Sequence, residues 1–376
     1  MRGLILAGVG LLLILAGLSI AVAGWFTKSV HLVPWGVMLS AYVFFSLMTA
    51  GSSMINSIYT LFGYKGPAGE LQNIVKAGVW FSLASALPAW TTILLDLTKP
   101  LNSYWLLLGF QPASRIAWMA LLYGIYATVL IAELLYVLRY EPAKEVVKGL
   151  AAVKLAISLA LVIVSLMLYP NLGQVFGVMT SVPGWFGAHM GLLFLIGAFY
   201  LGAAGQALFL YPYIKRYGSF FAGFYGRIMI ISTALLTVAI AWIFITASHL
   251  PIAWVNYEKV LFSAPFWLIQ VLLGIMGVAA LALLALSRGY LQALPIASIF
   301  AIVAAAYMAY YLIVSPQLVL PEVLEGLTRV VDYHIAGDEL MVVFGATLVG
   351  LGAYSLGMGI LPLGAEEKPK RLFILK

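Results

Sequence analysis

The sequence contains no cysteine and only four histidines among its 376 residues. Without cysteine, the chain cannot form disulfides, ligate an iron–sulfur cluster, hold a metal through thiolates or use a cysteine nucleophile. Charged residues are also scarce, at 9% of the chain, whereas soluble domains carry about a quarter. These shortages leave little material for a soluble catalytic domain.

Apolar residues dominate instead, at 64% of the chain. A membrane-crossing helix needs about 20 apolar residues, and lipid forces the backbone to satisfy its hydrogen bonds within that helix. The sequence therefore predicts an all-α integral membrane protein with ten transmembrane helices. The predicted spans are 4–23, 34–61, 74–95, 116–138, 150–168, 188–211, 228–248, 262–285, 291–313 and 340–362.

The first of these spans has a second interpretation. Arg2, the apolar run and the small residues Ala21-Val22-Ala23 also resemble a secretory signal with a cleavage site. The apolar core over 4–23 is long for a signal peptide and suits a span, so we interpret it as the first helix.

Basic residues are distributed unequally between the two sides that ten spans define. Fifteen of the twenty lysines and arginines fall on the side of the termini and five on the other. Positive residues favour the cytoplasmic side, so we expect a multi-pass plasma membrane protein with both termini cytoplasmic. The net charge of +7 then reports orientation and does not indicate a nucleic-acid partner.

The four histidines, His31, His189, His249 and His334, all fall near the predicted outer face. A membrane cytochrome with two stacked haems needs facing histidine pairs at both depths, which this chain cannot supply. A single haem near the outer face stays open beside the simpler interpretation of interfacial hydrogen bonding.

Ionisable and hydroxyl groups within spans are the candidates for chemistry, because burying them in lipid is costly. Glu133 lies inside span four towards its cytoplasmic end, and Lys154 lies near the cytoplasmic end of span five. The two residues would form either a proton relay or a buried ion pair. Asp338 and Glu339 stand at the mouth of span ten, which suits proton entry or plain solvation. Tyr42 lies about 12 Å below the outer boundary, where its hydroxyl needs a partner: a quinone carbonyl or another helix's backbone.

Two stretches carry a family resemblance: PWGVMLSAYVFFSLMTAG in span two and DLTKPLNSYWLLLGFQPASRIAW in the loop that follows span three. They resemble the NrfD/PsrC family, the quinone-reactive membrane subunits of polysulfide reductases and related complexes. The departures are Thr98, Lys99 and Gln111, where the family has Gly, Arg and Asn, and Arg115 and Met119, where it has Pro and Gly. The loop residues that match are Asp96, Leu97, Pro100, Trp105, Leu106, Leu107, Phe110, Pro112, Ser114 and Trp118.

The resemblance implies a fold and a function. Ten spans resemble the longer, hydrogenase-type (HybB-like) branch of the family. We expect one membrane domain: the first helix and outer loop (1–33), two four-helix bundles (34–168 and 169–314), and an outer loop, last helix and cytoplasmic tail (315–376). The family carries no haem and binds a quinone, menaquinone or another type, near the outer face. The resemblance also implies two partners: a docked iron–sulfur subunit, and a catalytic subunit that is a molybdopterin reductase or a hydrogenase.

The depth of each residue along its predicted helix then indicates which residues would form the quinone site that the resemblance implies. Tyr42, Ser40 and His189 are predicted to hydrogen-bond quinone oxygens, and Trp35 and Trp118 to pack against the ring. Asp96 is predicted to accept protons or to organise the outer loop, with Glu133 and Lys154 as a proton path to the cytoplasm.

Two alternatives stay open at this stage. Ten helices also suit a secondary transporter, and Pro34-Trp35-Gly36 and Pro183-Gly184-Trp185 hint at a parallel repeat, unless they match by chance. The chain could also be a purely structural anchor, which would have no need of Tyr42 or Asp96. The sequence does not indicate the terminal substrate, the quinone type or the direction of electron flow.

Overall fold

The computed structural model describes residues 2–28, 33–62, 70–140, 148–217, 219–321, 328–330 and 333–363. Ten of its helices are long and apolar enough to cross a membrane. Their bounds are α1 Arg2–Phe26, α2 Val37–Leu61, α3 Glu70–Asp96, α5 Arg115–Tyr140, α6 Lys148–Gly177, α7 His189–Phe209, α9 Ser219–Ser248, the π-helix Phe266–Gly277 continued by α11 Val278–Arg288, α12 Ala293–Val314 and α13 Gly337–Ile360. The all-α membrane fold is thereby confirmed.

The ten helices pack as two groups of four with a flanking pair. Helices α2, α3, α5 and α6 form the first bundle, and α7, α9, α11 and α12 the second. The flanking helices α1 and α13 lie along one another, and α13 also packs on α2 and α3. Helix α2 is central, with 89% of its most apolar stretch buried against 17% for α1.

Close approach of small residues joins the two bundles. A Cβ atom added at Gly51 of α2 would lie 1.6 Å from the carbonyl oxygen of Ala198 in α7. A Cβ atom at Gly202 of α7 would likewise lie 2.2 Å from the carbonyl carbon of Gly51. The α2 and α7 backbones are therefore in direct contact, which small residues permit in membrane bundles.

The remaining elements lie in the connections between the spans. One end of the molecule, where α2, α5 and α7 begin, carries the larger connections, and we call it the loop-rich end. It holds the 3₁₀ turn Pro100–Tyr104, the short helices α4 (Trp105–Leu108) and α10 (Pro251–Leu261), the 3₁₀ turn Ser315–Gln317, and the antiparallel strands β1 (Val319–Pro321) and β2 (Thr328–Val330). The short helix α8 (Tyr211–Tyr217) lies at the opposite end.

The helix ends differ from those predicted by up to four residues at most spans and by nine residues in two places. Helix α6 continues to Gly177, beyond the predicted end at 168, because Leu168, Leu172 and Phe176 continue its buried face. Helix α9 begins at Ser219, nine residues before the predicted start at 228. The division into bundles at residue 168 stays a prediction, since the helix end nearest to it lies at 177.

Candidate functional site

A group of tyrosines occupies the interior of the first bundle, starting near the loop-rich end. Tyr42 on α2 is buried, and its hydroxyl points to the sulfur of Met119 on α5 at 3.4 Å. The ring of Tyr123, one turn further along α5, lies 6.2 Å from the Tyr42 ring. Helices α2 and α5 thus direct hydroxyl and thioether groups towards one another.

The polar groups continue deeper into the same bundle. The Tyr126 hydroxyl donates to Ser53 Oγ at 2.7 Å and approaches the Thr49 carbonyl oxygen at 3.2 Å, which links α5 to α2. Tyr169 of α6 packs edge-on against Tyr126, with ring centroids 6.2 Å apart. We call Tyr42, Tyr123, Tyr126 and Tyr169 the tyrosine cluster.

Three hydroxyls in and beside the cluster have no hydrogen bond of standard geometry in the described parts of the chain, although they lie close enough to other cluster hydroxyls to interact with them. They belong to Ser46, Tyr123 and Tyr169, and all three oxygen atoms are buried. A buried hydroxyl without a partner costs about 1–3 kcal/mol, so native proteins rarely leave one unsatisfied. The group can therefore donate hydrogen bonds to an oxygen-bearing ligand or to water.

Glu133 lies seven residues beyond Tyr126, on the same face of α5, and is 3% exposed. Lys154 is half-buried on α6, the helix that packs beside α5. Lys76 of α3 is a further buried basic residue, at 7% exposure. The first bundle therefore encloses hydroxyls towards its loop-rich end and ionisable groups towards the opposite end, which we call the terminal end.

Trp35 lies at the seam between the two bundles. Its ring stacks on that of Trp185 at 5.2 Å and meets Phe176 edge-on at 5.3 Å. The Gln317 amide donates to the Trp35 carbonyl at 2.7 Å, and the Trp35 backbone N–H donates to Gln317 Oε1 at 3.3 Å. The Pro-Trp-Gly and Pro-Gly-Trp segments therefore contact each other through their tryptophans.

The loop that carries the family motif folds onto the start of α5. The Trp118 indole N–H donates to the Pro112 carbonyl oxygen at 2.8 Å, and its ring meets Phe110 edge-on at 5.2 Å. At the other end of the motif, Asp96 accepts from Lys28 through its backbone carbonyl and through Oδ1, the latter at 3.4 Å. Trp118 and Asp96 thus hold the loop in place.

Ser40 and His189 face two other regions. Ser40 lines a lateral cleft of about 430 Å³ between α2, α3, α12 and α13, and its hydroxyl donates to the Gly36 carbonyl at 3.1 Å. His189 lines a groove of about 610 Å³ along α7 and α9. Its Nε2 is buried without a hydrogen-bond partner among the described residues.

The structure therefore does not gather the predicted ring-binding residues into one site. Of the five, Tyr42 alone belongs to the tyrosine cluster. Three cluster members, Tyr123, Tyr126 and Tyr169, were missed by the sequence reasoning. The spacing of Tyr123, Tyr126 and Glu133 on one face of span four was the signal that could have found two of them. His31 lies outside the described residues.

Comparison with known proteins identifies the family of the chain. The family model described as polysulphide reductase, NrfD, matches residues 25–321. The chain belongs to the NrfD family. It is also 24% identical over 209 residues to a selenate reductase subunit from Mesobacillus selenatarsenatis, covering 48% of each chain. This chain thus matches about half the length of that relative.

This NrfD-family protein has a second polar group between its bundles. The Gln206 amide of α7 donates to Ser52 Oγ at 2.8 Å and to Asn56 Oδ1 at 2.9 Å, both on α2. The Tyr225 hydroxyl of α9 donates to Gln206 Oε1 at 2.9 Å. Most of these hydrogen-bonding groups are satisfied by one another, so the network serves the packing of α2, α7 and α9.

Proposed function

We propose that this chain is the quinone-reactive membrane subunit of a multisubunit respiratory reductase. Its membership of the NrfD family supports this role, as does its similarity to a protein named as a selenate reductase subunit. The observation that carries the proposal is the tyrosine cluster, whose hydroxyls lie buried and partly unsatisfied in the first bundle.

The cluster has the groups that a quinone requires. Tyr42, Tyr123 and Tyr169 would donate hydrogen bonds to ring oxygens, and the flexible thioether of Met119 would yield to a flat ring. When bound, a quinone supplies two-electron, two-proton redox chemistry. The chain itself binds and orients the ring, excludes water, and holds a proton at the tyrosine hydroxyls.

The depth of Tyr42 suits exchange with a docked subunit. Tyr42 is five residues from the start of α2 at Val37, which places it about 8 Å below that start; the predicted depth of about 12 Å is counted from residue 34. Because the sequence has no cysteine, iron–sulfur clusters must come from a partner, here an iron–sulfur subunit with a molybdopterin or hydrogenase-type catalytic subunit. We place that partner outside the plasma membrane, with the termini cytoplasmic, as the basic residues indicate.

The motif loop offers a surface for that partner. Leu101, Trp105 and Leu108 are 86%, 57% and 72% exposed at the loop-rich end. Exposed apolar groups of this kind mark contacts with proteins or with lipid. The contacts of Trp118 and Asp96 fix the shape of this surface, which is the positioning role we assign to them.

A proton path through Glu133 and Lys154 remains part of the proposal. Glu133 continues the buried face of α5 that carries Tyr126, in the direction of the terminal end. Protons could then pass between the tyrosine cluster and the cytoplasmic side.

The transporter alternative receives no support from the helices. Transporters of that kind interrupt helices near the middle of the membrane, whereas each of the ten spans that the structure describes is helical throughout, the eighth changing from π-helix to α-helix at Val278. A purely structural anchor would not require a buried, partly unsatisfied tyrosine cluster.

Binding of a quinone analogue to the purified protein, followed by quenching of tryptophan fluorescence, tests the proposal. The Tyr123→Phe variant should fold normally, because that hydroxyl forms no standard hydrogen bond in the described structure. Losing one hydrogen bond to the ring should weaken binding about 2- to 10-fold. Tyr42→Phe should have a similar effect.

The matched control is Tyr290→Phe, because Tyr290 is 56% exposed and distant from the cluster. This control should bind as the wild type does. A folded wild-type protein that binds no analogue would refute quinone reactivity. Equal affinities of wild type, Tyr42→Phe and Tyr123→Phe would show that the ring does not lie at the tyrosine cluster.

A further inference from the structure

The lateral cleft on the other side of α2 has the size and shape of a small-molecule site. Its volume of about 430 Å³ falls in the range of about 300–1,000 Å³ that such sites occupy. Along α13 it extends from Val343 to Tyr354, a distance of about 16 Å by helix rise. A helix about 10 Å wide does not fit it, but a flat ring with an apolar tail does.

The walls of the cleft are apolar and aromatic, and the cleft opens to lipid. Phe44, Phe45 and Phe81 line its inner side, and Leu351 and Ala306 are exposed at its outer edge. By contrast, five of the thirteen side chains that line the groove beside His189 are exposed, four of them aliphatic. In the cleft only Ala306 and Leu351 are exposed, so its lining is the more buried of the two.

One hydroxyl of the cleft is available to a ligand. Tyr310 forms no hydrogen bond within the part of the chain that the structure describes. The other lining hydroxyls donate to backbone carbonyl oxygens: Ser40 to Gly36, Ser85 to Phe81, Thr347 to Val343 and Tyr354 to Phe209. Tyr310 is thus the hydrogen-bond donor that the cleft leaves free.

A buried carboxylate stands at the loop-rich mouth of the cleft. Glu339 is 5% exposed and lies one turn before Val343 on α13. Its Oε2 accepts from the Tyr333 hydroxyl at 2.7 Å, and the Tyr333 ring lies 6.5 Å from that of Tyr310. Burial and the hydrogen bond to Glu339 raise the pKa of Tyr333, so Tyr333 remains a donor.

The backbone at the start of α2 lies so close to this carboxylate that a Cβ atom at position 36 would clash with it. A Cβ atom at Gly36 would lie 2.4 Å from the Tyr333 hydroxyl oxygen and 2.6 Å from Glu339 Oε1. Asp96 is close enough for its charge to interact with that of Glu339, and it pairs with Lys28 at 3.4 Å. Polar groups therefore lead from Tyr310 to the loop-rich surface.

We propose that this cleft is a second quinone-binding site, in which Tyr310 donates a hydrogen bond to a ring oxygen and Glu339 accepts a hydrogen bond from a hydroxyl of the reduced ring. The inference rests on the quinone reactivity proposed above but not on the tyrosine cluster. The apolar length of the cleft holds the isoprenoid tail. Glu339 and Asp96 disfavour the phosphate of a phospholipid, because they are acidic and Lys28 is already paired.

Photolabelling with an azido-quinone, followed by mass spectrometry of the labelled peptides, tests this proposal on the full chain. Two sets of labelled peptides are expected, one from α5 and α6 and one from α12 and α13. Ala306→Phe adds a ring at the outer edge of the cleft, where it narrows the opening to lipid, and should reduce labelling of α12 and α13 at least tenfold. The control Val303→Phe adds the same ring on the lipid-facing side of α12, where Val303 is 43% exposed, and should leave both sets unchanged.

Two further variants test the roles of the polar groups. Tyr310→Phe should reduce the affinity measured at α12 and α13 about 2- to 10-fold, the value of one hydrogen bond. Glu339→Gln should weaken competition by the reduced, hydroxyl-bearing analogue more than by the oxidised one, because a carboxylate attracts a hydroxyl proton more strongly than an amide does. A merely structural role for Glu339 would weaken both forms equally.

Several results would overturn the proposal. These are unlabelled α12 and α13 peptides, labelling that persists in Ala306→Phe, or a photoactivatable phospholipid that labels the cleft and is not displaced by quinone. Labelling of α12 and α13 without α5 and α6 would instead refute the tyrosine cluster and leave the cleft standing. If neither set is labelled, both proposals fail.

Discussion

The contact between the two bundles should depend strongly on Gln206. Its side chain is fully buried, and Gln206→Met keeps its approximate length while removing every hydrogen bond it makes. The partners left behind are Ser52, Asn56 and Tyr225, all fully buried as well. The substitution therefore removes partners from three residues on two other helices.

The magnitude follows from these contacts. Side-chain hydrogen bonds in membrane proteins contribute about 0.6 kcal/mol on average, and a buried group left without a partner costs about 1–3 kcal/mol. We expect Gln206→Met to lower the free energy of unfolding by about 2–4 kcal/mol, and Tyr225→Phe by about 1 kcal/mol. Because both variants remove the same bond at 2.9 Å, the double variant should lose less than the sum, by about 0.6–1 kcal/mol.

Unfolding in mixed micelles, with SDS as denaturant and circular dichroism as the signal, measures these differences. Gln292→Met is the matched control, since Gln292 is exposed, and it should change the free energy of unfolding by less than about 0.5 kcal/mol. The reasoning fails if Gln206→Met is as mild as this control. Strict additivity in the double variant would show that Gln206 and Tyr225 do not interact.

Two other predictions concern helix contact and the motif loop. Gly51→Ala places a Cβ atom 1.6 Å from the Ala198 carbonyl oxygen, so it should abolish the monodisperse peak in size-exclusion chromatography; Gly124→Ala, with nothing within 4 Å, should leave it intact. A normal profile for Gly51→Ala would contradict the close α2–α7 contact. Lys28→Met removes the partly exposed ion pair with Asp96 and should lower the free energy of unfolding by less than about 1 kcal/mol, an effect that shrinks at high salt. A decrease of several kcal/mol in the free energy of unfolding, measured in the same SDS assay, would show that the Lys28–Asp96 pair is stronger than an exposed ion pair.

Composition and pattern alone sufficed for the membrane class and the number of spans. Lipid leaves a chain few choices: each long apolar run must be a helix, because its backbone groups find no other partners. All ten predicted spans are helices in the structure. The motif loop also behaves as a unit, since Trp118 contacts both Phe110 and Pro112.

The grouping of side chains into sites depended on tertiary packing. Ser40 and Tyr42 are two residues apart and so face directions about 200° apart on a helix, which sends one to the cleft and the other to the tyrosine cluster. The cluster also requires Tyr169, from a helix whose rotation the apolar pattern hardly restricts, because lipid and core are both apolar. The approach of Gly36 to Glu339, about 300 residues away in sequence, likewise depends on how α13 packs on α2. The sequence by itself determined the ten helices and their motif loop, and only packing decided which polar groups meet between them.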